Sequence, residues 1–218
     1  MILAGHQPAF LPSTRYFYKM AKSDILDLRQ NAQFMDRGYF HRVKMRDSWF
    51  TLPLSPKPGY YDPISSVRVD LPKAKDLFRR TMQGRYGGSR YYKTRGVDLI
   101  DKFDSLGSEM LWHIDLDLIL YIRDLLGIET PVSIGVDTIG GKAEGVLSNL
   151  RCYPGADTYL SGVGAKKYMG DTSVFDEAGV KVVWSRHAPT TDDSIVSILM
   201  DHSDPMDIVL REEEGNIT

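Results

Sequence analysis

The sequence lacks several features that define common classes of protein. Its only cysteine, Cys152, cannot form an internal disulfide or a multi-cysteine zinc site. No apolar run reaches the roughly 18 residues that a membrane-spanning helix needs, and the first residues do not resemble a signal peptide. P-loop, nucleophile-elbow and zinc spacings are also missing, which argues against the standard NTPases, hydrolases and zinc enzymes. These absences predict a cytoplasmic protein that has no membrane partner and no metal site.

What is present is ordinary globular composition with an uneven distribution of charge. Among 218 residues, 42% are hydrophobic and 26% are charged. Residues 1–100 hold 18 Lys and Arg against 8 Asp and Glu, whereas residues 101–218 hold 9 against 21. This asymmetry indicates either a seam of ion pairs between the two halves or a basic surface for a polyanion. We expect a single domain over residues 1–218.

Short apolar runs alternate with helical periodicities, which predicts an α/β fold. We expect a layered, mostly parallel sheet with helices on both faces. We also expect an insertion with a β-rich part and a helical part, of which the helical part spans residues 70–127. Strands are predicted over 2–5, 25–26, 39–45, 48–52, 64–69, 131–136, 157–160 and 180–184. Helices are predicted over 108–126 and 194–200, after the capping residue Asp70, and from Gly140-Gly141-Lys142.

The first 34 residues hold the most informative pattern. A predicted strand ends in His6-Gln7-Pro8, and open α/β sheets bind ligands at the carboxyl ends of their strands. Because Pro8 favours an extended backbone at Gln7, the turn should be stiff. His6 and Gln7 are therefore candidate catalytic residues, His6 as a general base and Gln7 as a group that orients the substrate. A histidine that only hydrogen-bonds a neighbouring loop explains the spacing equally well.

A second candidate site follows the strand predicted at 157–160. The run Ser161-Gly162-Val163-Gly164 precedes Lys166 in a predicted short helix. Glycines let backbone N–H groups approach a phosphate, and a helix N-terminus favours an anion. A dinucleotide fingerprint would need glycine where Lys167 stands, so the run indicates only a generic anion loop. The alternative is a tight turn with exposed lysines. The candidate binding residues are Ser161, Gly162, Gly164 and Lys166.

Residues 79–95 interleave basic and aromatic side chains. The members are Arg79, Arg80, Arg85, Arg90, Lys93 and Arg95, with Tyr86, Tyr91 and Tyr92 among them. Guanidinium groups bind phosphates bidentately and aromatic rings stack on bases, so Arg85 and Arg90 are candidate contacts to nucleic acid. The alternative is a solvated pair of helices whose tyrosines are buried.

Several motifs together resemble the WbqC-like protein family. They are His6-Gln7-Pro8-x-Phe10-Leu11-Pro12, Tyr16-Phe17-x-Lys19-x-Ala21, Gln33-Phe34, Arg42, Trp49-Phe50-Thr51-x-Pro53 and Tyr159-Leu160-Ser161-Gly162. The chain departs from the family pattern at Gln30-Asn31, where an acidic residue is usual, and at His41, where asparagine is usual.

The resemblance implies transfer of an amino acid or a similar small group. Viral members of that family are proposed to attach amino acids to modified bases in DNA, and others occur in polysaccharide loci. We therefore expect a transferase in which Arg42 and Lys166 hold a phosphate of the acceptor. The acceptor is either a modified base in DNA, which the basic first half favours, or a nucleotide-linked sugar. The alternative function is a non-catalytic nucleic-acid-binding module. The cofactor, the donor and the oligomeric state stay open.

Overall fold

The computed structural model describes residues 1–135, 142–169 and 172–213, apart from the side chains of Lys142 and Tyr168. Five parallel strands form its central sheet: β1 (Ile2–His6), β2 (Ile25–Leu28), β5 (Val132–Ile134), β6 (Thr158–Ser161) and β7 (Lys181–Trp184). They lie in the order β5-β2-β1-β6-β7. Between β2 and β5 along the chain, β3 (Arg42–Met45) and β4 (Ser48–Thr51) form a separate antiparallel hairpin. The predicted α/β fold is confirmed.

Helices cover both faces of the sheet because successive strand residues point to opposite sides. Ala4 and Leu160 pack into the larger core with α1 (Thr14–Ala21), α2 (Leu71–Tyr86), α3 (Val97–Asp104), α4 (Leu111–Leu125), α8 (Ile195–Asp201) and α9 (Pro205–Val209). Leu3 and Tyr159 pack into a smaller core with α5 (Lys142–Leu150), α6 (Lys166–Met169) and α7 (Ser173–Glu177). We call the side of the sheet with the larger core the α1 face and the side with the smaller core the α5 face.

Residues 70–127 are helical, as the sequence predicts, and their helices belong to the larger core. The side chain of Asp70 accepts the N–H of Lys73 at 3.2 Å and so caps α2. Gly127, at φ +68°, ends α4 in the left-handed conformation that glycine adopts without strain. Leu125, at the end of this helix, is 42% exposed, whereas Ile122, one turn before it, is fully buried. That residues 70–127 form a separable insertion stays a prediction.

The β3–β4 hairpin turns at Arg46 and Asp47, as predicted, with φ of 54° and 61°. Two left-handed residues are typical of the tight hairpin turn whose twist matches the strands. The buried carboxylate of Asp193 accepts both N–H groups of this turn, at 2.9 and 3.3 Å. The strand predicted at 64–69 is wrong: Ile64–Ser66 is a 3-10 helix, and the hydroxyl of Ser66 donates to the carbonyl of Pro63 at 2.9 Å.

The predicted strand end at Val136 and helix start at Gly140-Gly141 fall outside the described residues. Within the described ranges, none of the helices is long and apolar enough to cross a membrane.

The charge asymmetry of the sequence corresponds to a seam of ion pairs. Among the described residues, five lysine or arginine side chains of the first 100 residues pair with an acid of the remainder: Arg15–Asp192, Lys22–Glu212, Arg46–Asp201, Arg68–Glu109 and Arg79–Asp104. These contacts pair part of the excess of Lys and Arg in the first 100 residues, so that part needs no polyanion to explain it.

A fully buried carboxylate, Asp27, joins β2 to the end of α5. It accepts hydrogen bonds from Arg29 Nε at 3.1 Å, from the Tyr153 hydroxyl at 2.6 Å and from the Asn149 amide. Gly135 lies so close that a Cβ there would stand 2.5 Å from a carboxylate oxygen. Three donors therefore surround one buried charge, which a buried carboxylate needs in order to be tolerated.

Replacing Asp27 by asparagine should lower the free energy of unfolding by about 2 to 4 kcal/mol, because an amide cannot accept from all three donors. Denaturant titration measures this loss. Asp36→Asn, at an exposed position, is the matched control and should change stability by less than about 0.5 kcal/mol. Equal effects of the two substitutions would show that Asp27 does not join these elements.

Candidate active site at the carboxyl edge of the sheet

The strand order predicts a ligand crevice at the carboxyl ends of β1 and β6. The next strand in the chain, β2, lies on one side of β1, and β6 lies on the other side. The strand order therefore reverses at β1. β1 pairs with β2 as far as His6, but with β6 only at Ile2 and Leu3. Beyond Leu3 these two described strands make no ladder contact. Ligands in open α/β sheets bind at such switch points.

His6 is the last residue of β1 and lies at this switch point, so its strand-end position is as the sequence predicts. Its ring lies 4.2 Å from the ring of Tyr16, and its Nδ1 lies 3.3 Å from the carbonyl oxygen of Gln7. A carbonyl only accepts, so Nδ1 carries the proton and Nε2 keeps a free electron pair in the neutral ring. Burial lowers the pKa of His6 well below its usual value, and Lys19 lowers it further. The geometry therefore supplies a neutral base at physiological pH.

Two cations lie next to His6, and we call His6, Lys19 and Arg29 the basic edge cluster. The Lys19 ammonium, on α1, donates to the Gly5 carbonyl at 3.3 Å, and the side chain is only 8% exposed. Burial, and then Arg29, lower the pKa of Lys19 to about 8. Arg29 follows β2, and its buried Nη2 has no hydrogen-bond partner among the described residues. Since a Cβ on Gly5 would lie 3.1 Å from this Nη2, glycine permits the approach.

Behind His6 lies a buried polar pair on the α1 face. Tyr16 and Asp115, the latter on α4, are at most 2% exposed. In the described part of the chain, neither the tyrosine hydroxyl nor either carboxyl oxygen has a hydrogen-bond partner. Burial raises the pKa of Asp115 well above its usual value, and burial together with Asp115 raises the pKa of Tyr16. Asp115 therefore keeps its proton to a higher pH than an exposed aspartate does.

The loop from Gln7 to Pro12 is fixed at three points. The Phe10 N–H donates to the Tyr39 carbonyl at 2.9 Å, and the Ser194 hydroxyl donates to the Leu11 carbonyl at 2.7 Å. The Ile195 N–H donates to the Pro12 carbonyl at 2.9 Å. Leu11 is fully buried at φ +41°, a strained conformation for a residue with a side chain. These anchors hold Gln7, which is partly buried, beside His6.

The segment after β6 has the predicted order of elements. Gly162 precedes a 3-10 turn, and Lys166 begins α6 with its ammonium 5.1 Å from the centre of the Trp184 ring. A Cβ on Gly162 or Gly164 would meet no described atom within 4 Å, so the space beside this backbone is open. Ser161 is 3% exposed and points into the α5 face against Met169. Ligand contact by these residues stays a prediction.

Arg42 lies on the separate hairpin, where its guanidinium stacks 3.7 Å from the centre of the Trp49 ring. Its Nε is buried without a hydrogen-bond partner, and it forms no ion pair within the described ranges. The hairpin approaches the His6 loop through the Phe10–Tyr39 hydrogen bond. That Arg42 shares a cleft with His6 stays a prediction.

Much of the basic stretch at 79–95 is engaged within the fold. Arg85 donates to the carbonyls of Met45, Ser48 and Trp49 and so closes the β3–β4 hairpin. Arg79 pairs with Asp104, and Arg80 pairs with Asp76. Arg95 donates to backbone carbonyls that follow α8. Tyr86 is fully buried. Arg90, which stacks on Tyr91 at 5.4 Å, and Lys93 remain exposed. Nucleic-acid contacts of Arg85 and Arg90 stay predictions.

The sequence reasoning did not assign site roles to Lys19, Arg29, Tyr16 or Asp115. Asp115 carried a signal, because it lies four residues from two apolar positions of α4, Leu111 and Ile119. The loop histidine His187 is buried: its Nε2 lies 2.7 Å from the Thr14 hydroxyl and its Nδ1 lies 3.0 Å from the Arg211 carbonyl. The tail beyond α9 folds back over it.

We expect Asp115 to make stability depend on pH in a characteristic direction. In the unfolded chain its carboxyl ionises near pH 4, whereas the folded protein keeps it protonated. Stability therefore falls as pH rises, by about 1.4 kcal/mol per pH unit up to the folded pKa. Relative to Asp115→Asn, the wild type should lose free energy of unfolding as the pH rises above about 4. Asp117→Asn, at an exposed position on the same helix, is the control. A difference in free energy of unfolding between wild type and Asp115→Asn that does not change with pH would contradict the expectation.

If residues 79–95 bind DNA, Arg90→Gln with Lys93→Gln should reduce the slope of log K against log salt by about two, because two phosphate contacts are lost. Both side chains are exposed, so the fold should not change. Fluorescence anisotropy at several salt concentrations measures the slope. Lys57→Gln with Lys73→Gln removes the same charge elsewhere. An equal change in this control would show that only net charge matters.

Comparison with known proteins gives one match. The model of the WbqC-like protein family matches residues 7–192, which is most of the 218-residue chain. No curated protein and no solved structure matches. The matched range contains Lys19, Arg29, Arg42 and the Ser161-Gly162 run, and it begins one residue after His6.

Proposed function

Because this chain belongs to the WbqC-like protein family, we propose that it is a transferase that attaches an amino acid or a similar small group to a phosphate-activated acceptor. The observation that carries the proposal is the state of His6. A neutral imidazole at a sheet switch point, with Nδ1 directed at a carbonyl and Nε2 free, is suited to remove a proton from an attacking group.

The proposed step is displacement at the activated carbon of the acceptor. The neutral amine of the donor attacks that carbon, and a carbon–nitrogen bond forms as the carbon–oxygen bond breaks. Pyrophosphate, or the nucleoside diphosphate when the acceptor is a nucleotide-linked sugar, leaves with the electron pair of the broken bond. The proton released from the amine passes to Nε2 of His6, and the imidazolium later returns it to water. Gln7, held beside His6 by the anchored loop, orients the donor.

We assign phosphate binding to Arg42, Lys166 and the backbone that follows β6. Arg42 presents a planar guanidinium whose position the Trp49 ring fixes. Lys166 and the open backbone at Gly162 and Gly164 add a cation and N–H donors on the β6 side, next to Ser161. These assignments follow from the position of each group on its element and from the family motif.

Two acceptors fit this chemistry. A modified base in DNA is the first, with Arg90 and Lys93 as exposed cations that can follow a phosphate backbone. The second is a nucleotide-linked sugar. One observation favours the second: Arg85 and much of the basic excess are engaged in ion pairs or hairpin carbonyls, so the charge asymmetry no longer requires a polyanion.

His6→Ala should lower the rate of transfer by about 10²-fold or more, while the melting temperature stays close to that of the wild type. Mass spectrometry of a pyrophosphate-activated nucleotide or oligonucleotide incubated with amino acids detects the added mass. The wild-type rate should fall only below about pH 6.5, because burial lowers the pKa of His6 and an acidic solution must protonate it.

His202→Ala, a partly buried histidine outside the crevice, is the control and should transfer normally. A parallel loss of melting temperature and activity in His6→Ala would show that His6 is structural. No mass change with the wild type on either acceptor would refute the proposed transfer and favour a binding module.

A further inference from the structure

The basic edge cluster holds more positive charge than its described surroundings neutralise. Asp27 is the carboxylate bound to Arg29, and it already accepts from Tyr153 and Asn149 as well. Lys19 forms no ion pair with any carboxylate in residues 1–135, 142–169 or 172–213. The Arg29 guanidinium repels this ammonium and lowers the pKa of Lys19.

Such an arrangement costs stability in the absence of a ligand. An ammonium that is 8% exposed has lost most of its hydration, and one hydrogen bond of 3.3 Å to the Gly5 carbonyl replaces little of it. Buried cations are usually paired or hydrogen-bonded on all sides. The Arg29 Nη2, buried and unpartnered within the described chain, adds a second unused donor at the same place.

A purely structural role explains only part of this. Lys19 lies in the last turn of α1, where a cation interacts favourably with the helix dipole. That effect does not require burial. The bond to Asp27 fixes the guanidinium through Nε, but it leaves the buried Nη2 without a partner. An anion between the two cations would explain both the missing partners and their common position.

We propose that Lys19 and Arg29 form a binding site for the anionic group of a substrate, a carboxylate or a phosphate, next to His6. Arg29 keeps its Nε on Asp27 and offers Nη2, while Lys19 offers the remaining N–H donors of its ammonium. Within the proposed transfer, the anion is either the carboxylate of the amino-acid donor or the pyrophosphate of the acceptor. This identity depends on the proposed function, whereas the anion site itself does not.

The test uses the intact protein and two probes, sodium pyrophosphate and glycine, in buffers matched for ionic strength with sodium chloride. Calorimetric scanning gives the melting temperature, and isothermal titration gives the dissociation constant. We expect at least one probe to bind and to raise the melting temperature. Lys19→Gln should weaken that binding at least tenfold, and without a probe it should melt no lower than the wild type.

Arg29→Lys keeps the charge beside Asp27, so it should fold and bind with intermediate affinity. Lys57→Gln, an exposed lysine elsewhere, should bind as the wild type does. Binding of pyrophosphate alone identifies the acceptor as the source of the anion, and binding of glycine alone identifies the donor.

Three results would overturn the site: neither probe stabilises the protein beyond sodium chloride, Lys19→Gln binds as tightly as the wild type, or Lys19→Gln melts lower without a probe. None of these measurements needs turnover. A protein that binds pyrophosphate through Lys19 but transfers nothing would keep this site and refute the proposed reaction.

Discussion

The carboxyl edge of the sheet is organised around one buried charge. Asp27 is fully buried, and it is tolerated because three donors from different parts of the chain surround it. Each donor is fixed in turn: Tyr153 and Asn149 hold α5 against β2, and Arg29 is drawn back over the end of its own strand. The position of the guanidinium beside His6 is therefore a consequence of satisfying a carboxylate, since Arg29 would otherwise extend into water.

Satisfied and unsatisfied groups lie close together at this edge. The Asp27 network is complete apart from the free Asn149 oxygen, yet the Arg29 Nη2, the Tyr16 hydroxyl and the carboxyl of Asp115 lack partners within the described chain. Buried groups without partners cost free energy, and proteins retain them where a ligand or a reaction uses them. Arg29, Tyr16 and Asp115 are grouped around His6, while buried atoms of Gln30, His41 and Arg42 also lack partners within the described chain.

Periodicity and turn residues were enough to predict the central sheet, the Arg46-Asp47 turn and the strand-end position of His6, because these depend on local patterns. The strand at 64–69 failed because Pro63 and Ser66 favour a local 3-10 turn over sheet pairing. The interpretation of 79–95 could not include the hairpin carbonyls that Arg85 binds some forty residues away. Lys19 and Arg29 were not predicted as partners for the same reason, since only the packing of α1 on the sheet brings them together.

Gly5 explains how the two faces of the sheet contribute to one site. Its side-chain position belongs to the α5 face, together with Leu3, and there the Arg29 Nη2 and the Tyr159 hydroxyl would lie 3.1 and 3.0 Å from a Cβ. Its carbonyl accepts the Lys19 ammonium, which comes from the α1 face. A larger residue would push the guanidinium away from β1 and separate the two cations. The absence of a side chain at this one position thus lets a base from each face reach the same strand end, directly beside His6.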